Sequence, residues 1–427
     1  MLSKDYNKYF LILAFINLIL FFFGFSFDEN SSGGSKSDFF LHDLNVVNLF
    51  KDLSILEAIK SDNYDSSRTP LFFIITKYIS YIDDPISQRI FTFWLSLLTS
   101  FIFYIGLINK YSNTDRTKLI CLSTIILIVP TFRGPAFWGQ PENLAIFFTI
   151  LSFAIYYSNS LSNNLKLNFS IFVSYLAFYS DQKYLIIPII FLLINLNYSK
   201  IISYKNVNLI LINFFCILPF LYLIYLWGSF FPQPVNELYA NDGFSIKINI
   251  ENLSKIISIF FITFFPIIII YRKRILENLN KLNKLDKIII FIFILIFIFF
   301  APDLNYNLGG GLIFKFFYYI NNYLFLDLFT KSFQIVLIIV IFIILYSLLK
   351  NKLSNLLPLL FFGCLSLVMP NVFREYIDPL NFILICFFYQ FFNTKNLVDG
   401  RLILYFEIYY IGLLVISITY YHFFLKI

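Results

Sequence analysis

Residues 1–27 read MLSKDYNKYFLILAFINLILFFFGFSF. From Tyr9 to Phe27 the stretch carries no charge and is long enough to cross the hydrocarbon core of a bilayer as a helix. The charged start and apolar core resemble a secretory signal. No small-residue cleavage site follows the core, so the segment is read as a retained first transmembrane helix. Similar apolar runs recur to the other end of the chain. Hydrophobic residues make up 59% of the sequence and charged residues 13%. This is the composition of a polytopic, all-α integral membrane protein, in which each spanning segment must satisfy its own backbone as a helix.

Apolar runs suggest about thirteen spans, within a range of about 11–13, on the length requirement of about 20 residues. They fall near 9–27, 89–108, 118–132, 140–159, 167–181, 184–198, 206–228, 254–271, 288–300, 331–349, 354–369, 376–392 and 402–424. The whole chain, 1–427, is expected to be one transmembrane domain. Basic residues concentrate in alternate connections, among them Lys4 and Lys8, Lys110 with Arg116 and Lys118, and the run from Arg272 to Lys287. The positive-inside rule places these, and the N-terminus, in the cytoplasm. The formal charge of +7 is therefore a topological signal and not a nucleic-acid footprint. Cys121, Cys216, Cys364 and Cys386 each lie within an apolar run and read as small buried hydrophobes.

The remaining connections face outward and hold most of the specific-looking polar residues. The longest, 28–88, comes first. Its segment 41–59 has apolar residues at helical spacing and reads as an interfacial helix. Pro70 suits the start of a second helix. Just after the first span, SDFFLHD (37–43) places Asp38 and His42 four apart, on one face of a helix that begins near Asp38. Asp38 in that position is either a helix cap or a general base toward a hydroxyl. Asp43 falls on another face and is the second candidate, with Asp28 and Glu29 behind it.

Three further segments carry candidates. RGPAFWGQPEN (133–143) holds Arg133, Gln140 and Glu142 between two spans, where charges near membrane depth mark a site or pathway. YSDQK (179–183) holds Asp181, Gln182 and Lys183 in a very tight hairpin. Lys183 there either snorkels or binds a lipid phosphate. FREYIDP (373–379) holds Arg374, Tyr376 and Asp378. Its plain reading is an Arg374–Asp378 pair one turn apart; its sharper one is a phosphate-binding Arg.

The order of these segments resembles that of GT-C glycosyltransferases, polytopic enzymes with a catalytic Asp in the first outer loop. Among them the dolichyl-phosphate-glucose-dependent alpha-1,2-glucosyltransferases look most similar. Their Asp-Glu-x-Phe-His is matched by Asp38-Phe39-Phe40-Leu41-His42, without the Glu. Tyr64-Asp65 resembles their Trp-Asp-Pro, and Arg68-Thr69-Pro70 their Thr-Thr-x-Pro-Gly. Asp181-Gln182-Lys183-Tyr184 resembles Arg-Gln-Thr-Asn. Asn241-Asp242-Gly243-Phe244 resembles Gly-Asp-x-Ser, and Arg374-Glu375-Tyr376-Ile377-Asp378-Pro379 resembles Arg-Tyr-Phe-Ile-x-Pro.

The resemblance implies inverting transfer of a sugar from a polyprenyl-phosphate donor to a glycan or lipid-linked acceptor. Asp38 would be the base, with His42 orienting it or the acceptor. Arg374, Lys183 and Arg133 would receive the donor phosphate. Gln182, Gln140, Glu142, Asp242 and Tyr376 would contact sugar or acceptor. No metal site is indicated, and a divalent metal is neither demanded nor excluded. The expected setting is a bacterial inner membrane or the endoplasmic reticulum membrane, with the active face non-cytoplasmic. Expected partners are the lipid donor, the acceptor and membrane lipids. A polysaccharide polymerase or ligase, or a transporter of lipid-linked sugars, are the rival classes.

Overall fold

A computed structural model describes residues 2–32, 34–79, 84–196, 203–232, 235, 248–301, 311–324, 327–350, 352–367, 372–389 and 399–424. All regular structure among them is helical. Six of these helices are long and apolar enough to cross a membrane: Asn7–Ser26, Pro85–Lys110, Tyr204–Trp227, Asn252–Asn280, Phe329–Leu349 and Gly400–His422. The chain is a polytopic helical membrane protein. It forms two compact units, one of residues 1–243 with 406–427 and the other of residues 244–405.

The first unit begins with α1 (Leu2–Ser26), α2 (Ser35–Asp38), α3 (Leu44–Asp52), α4 (Ile55–Lys60) and α5 (Leu71–Tyr78). It continues with α6 (Pro85–Lys110), α7 (Arg116–Thr124), α8 (Pro130–Phe137), α9 (Glu142–Tyr156), α10 (Asn163–Phe178), α11 (Ile186–Asn195) and α12 (Tyr204–Trp227). The long helices turn apolar side chains outward. On α12, Ile210, Leu211, Phe214, Phe215, Leu221 and Tyr222 are all exposed. In water such a surface would be an aggregation site; in a bilayer it is the lipid face.

The inward faces are glued by small polar groups instead. Along α6, Gln88, Thr92, Ser96 and Ser100 are buried and recur every fourth residue, which is one face of a helix. The Gln88 amide donates to the Gly139 carbonyl at 2.8 Å, and the Thr92 hydroxyl to the Ala136 carbonyl at 2.9 Å. Asn143 donates to the Ser96 hydroxyl at 2.6 Å, and Ser100 to the Ser123 carbonyl at 3.1 Å. Without a hydrophobic drive between helices in lipid, such bonds and close backbone approach set the packing.

Among the described residues, six or seven of the thirteen expected spans have membrane length. The run expected at 118–132 is broken. Residues before a proline are pushed out of the α region, and Val129, ahead of Pro130, is extended. A 3₁₀ turn (Ile125–Ile128) closes the first half, Pro130 opens α8, and the two halves bend by 65°. Counted as one span, the pair makes seven. Glu142–Tyr156, Gln182–Asn195 and Ser354–Leu367 are apolar but shorter. The helix expected over 41–59 also divides. Leu53 is extended, and Ser54 starts α4 with a reciprocal capping box to Glu57. Of the cysteines, Cys121 and Cys386 are buried, but Cys216 is half-buried and Cys364 exposed on the outward face of its helix.

In the second unit, Asn252–Asn280 packs against Asp327–Leu349 and Leu353–Leu367. Asp286, at the start of Lys284–Phe299, accepts from the Tyr346 hydroxyl at 2.7 Å and the Lys350 ammonium at 2.9 Å.

One buried ion pair ties the start of the loop after α1 to α8. Arg133 is only 1% exposed. Its Nε donates to Glu29 at 2.7 Å, and its terminal nitrogens reach the other Glu29 oxygen and the carbonyls of Leu127 and Leu20. The Trp138 indole donates to the Glu29 carbonyl at 3.0 Å. Removing one partner of such a pair leaves a charge in a dry site, which costs about 3–5 kcal/mol. Arg133→Met is therefore expected to lower thermal stability in detergent by that order, and Glu29→Gln combined with Arg133→Met to recover most of the loss. An equal loss in the double variant would show that the pair is not the cause.

Candidate functional site

The site grows from the turn that follows α2. A π-turn over Phe39–Asp43 inserts one extra residue between α2 and α3. It alters the register expected from α-helical spacing. Asp43, expected to point away from Asp38, is fully buried against Arg68, and Asp38 lies within the fields of the same Arg68 and of Glu142. Asp38 itself remains half-buried. His42 turns outward, and its Nδ1 lies 2.7 Å from the Asp65 carboxylate.

Arg68 is placed by the segment 64–71. The Tyr64 hydroxyl donates to the Arg68 carbonyl at 2.8 Å. The Thr69 hydroxyl donates to the Phe178 carbonyl at 2.9 Å, and the Leu71 amide to the Tyr179 carbonyl at 3.0 Å. These bonds seat the loop on the C-terminal end of α10, beside the Asp181–Lys183 hairpin. Across the loop, the Lys77 ammonium donates to the carbonyls of Phe50 and Leu53 and closes the end of α3.

The guanidinium of Arg68 then joins two elements. It donates to Asp43 Oδ1 at 3.2 Å and, through Nε, to Glu142 Oε1 at 3.1 Å; a terminal nitrogen also contacts that Glu142 oxygen. Glu142 stands at the first position of α9 and lies within the field of Lys183. Lys183 pairs with Asp181 at 2.9 Å, both side chains largely buried. The Asp181 carboxylate also caps the 3₁₀ turn Gln182–Leu185 by accepting from the Lys183 amide. Arg68 is within the field of Asp181. The result is one continuous cluster of Asp38, Asp43, Arg68, Glu142, Asp181 and Lys183.

Acid outnumbers base in this cluster, and the carboxyls respond. Burial pushes Asp43 up to about 7, against the pull of Arg68 and with a further push from Glu142 and Asp38. Burial also raises Asp38, opposed by Arg68 and His42. In and beside the cluster, buried polar atoms without a hydrogen-bond partner among the described residues are Asp43 Oδ2, Glu142 Oε2, Gln140 Nε2 and Gln182 Nε2. Among the described residues, no group of three or more His, Cys, Asp or Glu is placed to hold a metal ion.

Of the residues singled out from sequence, Asp38, His42, Asp43, Glu142, Gln182 and Lys183 come together. Gln140 follows Gly139, whose Cα faces the Phe39 ring of the π-turn. Arg133 does not join them. It pairs with Glu29 and not with Glu142, so most of its donors are used in packing the helices. Arg374 lies in the second unit and donates through two nitrogens to Asp378, the plainer of its two readings. Tyr376 follows it in a short 3₁₀ turn. Asp242 lies outside the described residues. Arg68 and Asp65 were not singled out. Arg68 is the only Arg between residues 28 and 88, which was the available signal. Asp65 had no local signal as a partner for a His 23 positions away. Comparison with family models, with curated proteins and with solved structures finds no match.

Chemically, the cluster offers a half-buried carboxylate of raised proton affinity beside an oriented His. Its two cations are already paired with carboxylates, so an anionic ligand would have to exchange partners with them. A raised carboxyl also has a linkage consequence. The folded protein holds the Asp43 proton more tightly than the unfolded chain, so that contribution is full below the unfolded value of about 3.9 and lost as pH rises through about 7. Asp43→Asn is expected to flatten the fall in thermal stability between these limits. Parallel pH profiles for the variant and the wild type would remove Asp43 as the source.

Proposed function

We propose that this protein is a GT-C-type membrane glycosyltransferase. It moves a sugar from a polyprenyl-phosphate monosaccharide to a hydroxyl of a glycan or lipid-linked acceptor, with inversion. The observation that carries this reading is Asp38, a half-buried carboxylate of raised proton affinity in the loop after the first membrane-length helix, set against the Arg68–Glu142 pair. The resemblance in motif order around Asp38-Phe39-Phe40-Leu41-His42 supports it.

In this reading the acceptor hydroxyl gives its proton to Asp38 as its oxygen attacks the anomeric carbon, and the bond to the phosphate breaks on the opposite side. The donor phosphate departs toward Lys183, the cation nearest the cluster's end on the 3₁₀ turn. Preorganised charge directed at the charge that develops is ordinarily the largest contribution to such a step. Gln182, Gln140 and Glu142 hold the sugar and acceptor. The buried amides of Gln140 and Gln182, with donors unused among the described residues, are suited to sugar oxygens. With the three shorter apolar helices, the described residues offer up to ten membrane segments, each needing internally satisfied backbone. The reaction takes place on the non-cytoplasmic face of a bacterial inner membrane or of the endoplasmic reticulum. The scheme requires no metal.

The test is release of polyprenyl phosphate from a panel of labelled polyprenyl-phosphate sugars supplied with cell-derived lipid and glycan acceptors. Wild type is expected to release it from one donor class. Asp38→Asn is expected to lose about 10²–10⁴-fold in kcat while still binding the donor. Near-normal transfer by Asp38→Asn would remove Asp38 as the base. Donor binding without release, whatever the acceptor, would favour a transporter.

A further inference from the structure

The His42–Asp65 pair is not explained by the base assignment alone. His42 sits one turn after Asp38, within its field, and its side chain is 42% exposed. Its Nδ1 is held 2.7 Å from Asp65 Oδ2. A carboxylate can only accept, so the bond requires a hydrogen on Nδ1 and fixes the neutral ring with its lone pair on Nε2. The same bond holds the ring in place and stabilises the imidazolium that forms when Nε2 takes a proton. Asp65 is placed by the same 64–71 segment that places Arg68, so the dyad and the ion-pair cluster share one support.

Asp38, by contrast, lies in a partly desolvated site crowded by Glu142, where a captured proton is retained by burial. A base that keeps its proton is inactive for the next turnover. We propose that His42, positioned by Asp65, relays the proton from Asp38 to water and so regenerates the base; this rests on the glycosyl-transfer reading above. The step balances. The acceptor O–H proton passes to the Asp38 carboxylate as the new C–O bond forms and the glycosyl–phosphate bond breaks. His42 Nε2 then takes that proton from Asp38 and gives it to bulk water, leaving the carboxylate and neutral imidazole as they began. Asp65 is a positioning residue; it does not touch substrate.

The chain has two histidines, which makes the ring state directly observable. His422 accepts from the Asn30 amide through Nε2 at 3.4 Å, so its signals are assigned and removed with His422→Gln. In the full-length protein labelled with nitrogen-15 at histidine, in detergent, neutral His42 is expected to be the Nδ1–H tautomer and to lose that preference in Asp65→Ala. His42→Ala and Asp65→Ala are each expected to lower kcat at least about tenfold with acceptor KM unchanged, a fraction of direct base catalysis. Added imidazole is expected to restore part of the rate of His42→Ala but not of Asp38→Asn.

An Nε2–H tautomer in the wild type overturns the relay and leaves the transfer reading untouched. So does an unchanged kcat in His42→Ala, or a change confined to acceptor KM. Absence of transfer by the wild type from any donor overturns the transfer reading and the relay with it, whatever the tautomer.

Discussion

The organisation of the first unit depends on one guanidinium. Arg68 is buried and bridges Asp43, at the end of the π-turn, to Glu142, at the start of α9. Neither carboxylate could remain charged in that position alone, since an ion taken out of water without a partner costs several kcal/mol. Bringing two carboxylates to one cation is also costly; the raised proton affinity of Asp43 comes first from its burial, and Glu142 adds to it. Such an arrangement is a poor way to gain stability compared with apolar packing. What it does supply is position. Arg68 offers five donors in a rigid fork, so it fixes the direction of both partners at once. The turn carrying Asp38 is thereby registered against α9, and through the Thr69 and Leu71 bonds against the end of α10.

The membrane setting explains why so much of this registration is polar. Lipid is as apolar as the leucines and phenylalanines facing it, so hydrophobicity does not choose between helix partners. The choice is left to backbone approach and to bonds such as Asn143 to Ser96 and Gln88 to Gly139. The same logic applies to Arg133 and Glu29. Their bonds to carbonyls of α1 and of the broken segment before α8 saturate groups that water cannot reach. The break at Val129–Pro130 then has a consequence for the site. It turns α8 by 65° away from the first half of the segment, and α9, with Glu142 at its start, follows on from it.

The helical membrane class was legible in the apolar runs, because hydropathy acts locally and the backbone must close on itself in lipid. The position of the polar cluster was legible too, since the first outer loop was the longest and most acidic. The rest failed for identifiable reasons. The π-turn between α2 and α3 went unseen, since FFLHD carries no mark of one, and so did the burial of Asp43 against Arg68. Arg133 was read as a site or phosphate-binding charge because it lies near membrane depth, whereas it is bound to Glu29, 104 residues away. Arg68 entered only as part of a motif resemblance, because nothing local in the sequence marks its partners Asp43 and Glu142. Arg374, read both as a phosphate ligand and as half of a helical pair, shows the pair, which was the local possibility.

Comparing the carboxylates of the cluster separates their tasks. Asp43 and Glu142 are drawn into Arg68 and each has only one oxygen left over; Asp181 is occupied by Lys183 and by its cap. Asp65 is committed to His42. Asp38 alone combines partial exposure with raised proton affinity and lies beside the oriented imidazole. The same accounting restrains the cations. Since Arg68 and Lys183 are matched before any ligand arrives, an incoming phosphate gains little from net charge. It gains from geometry, by replacing a carboxylate at one of them, and the displaced carboxylate then needs a proton or a hydroxyl to bond. On the proposed reading, a sugar hydroxyl would supply that hydrogen directly, and recognition of the anion and of the sugar would be one exchange of partners and not two independent bindings.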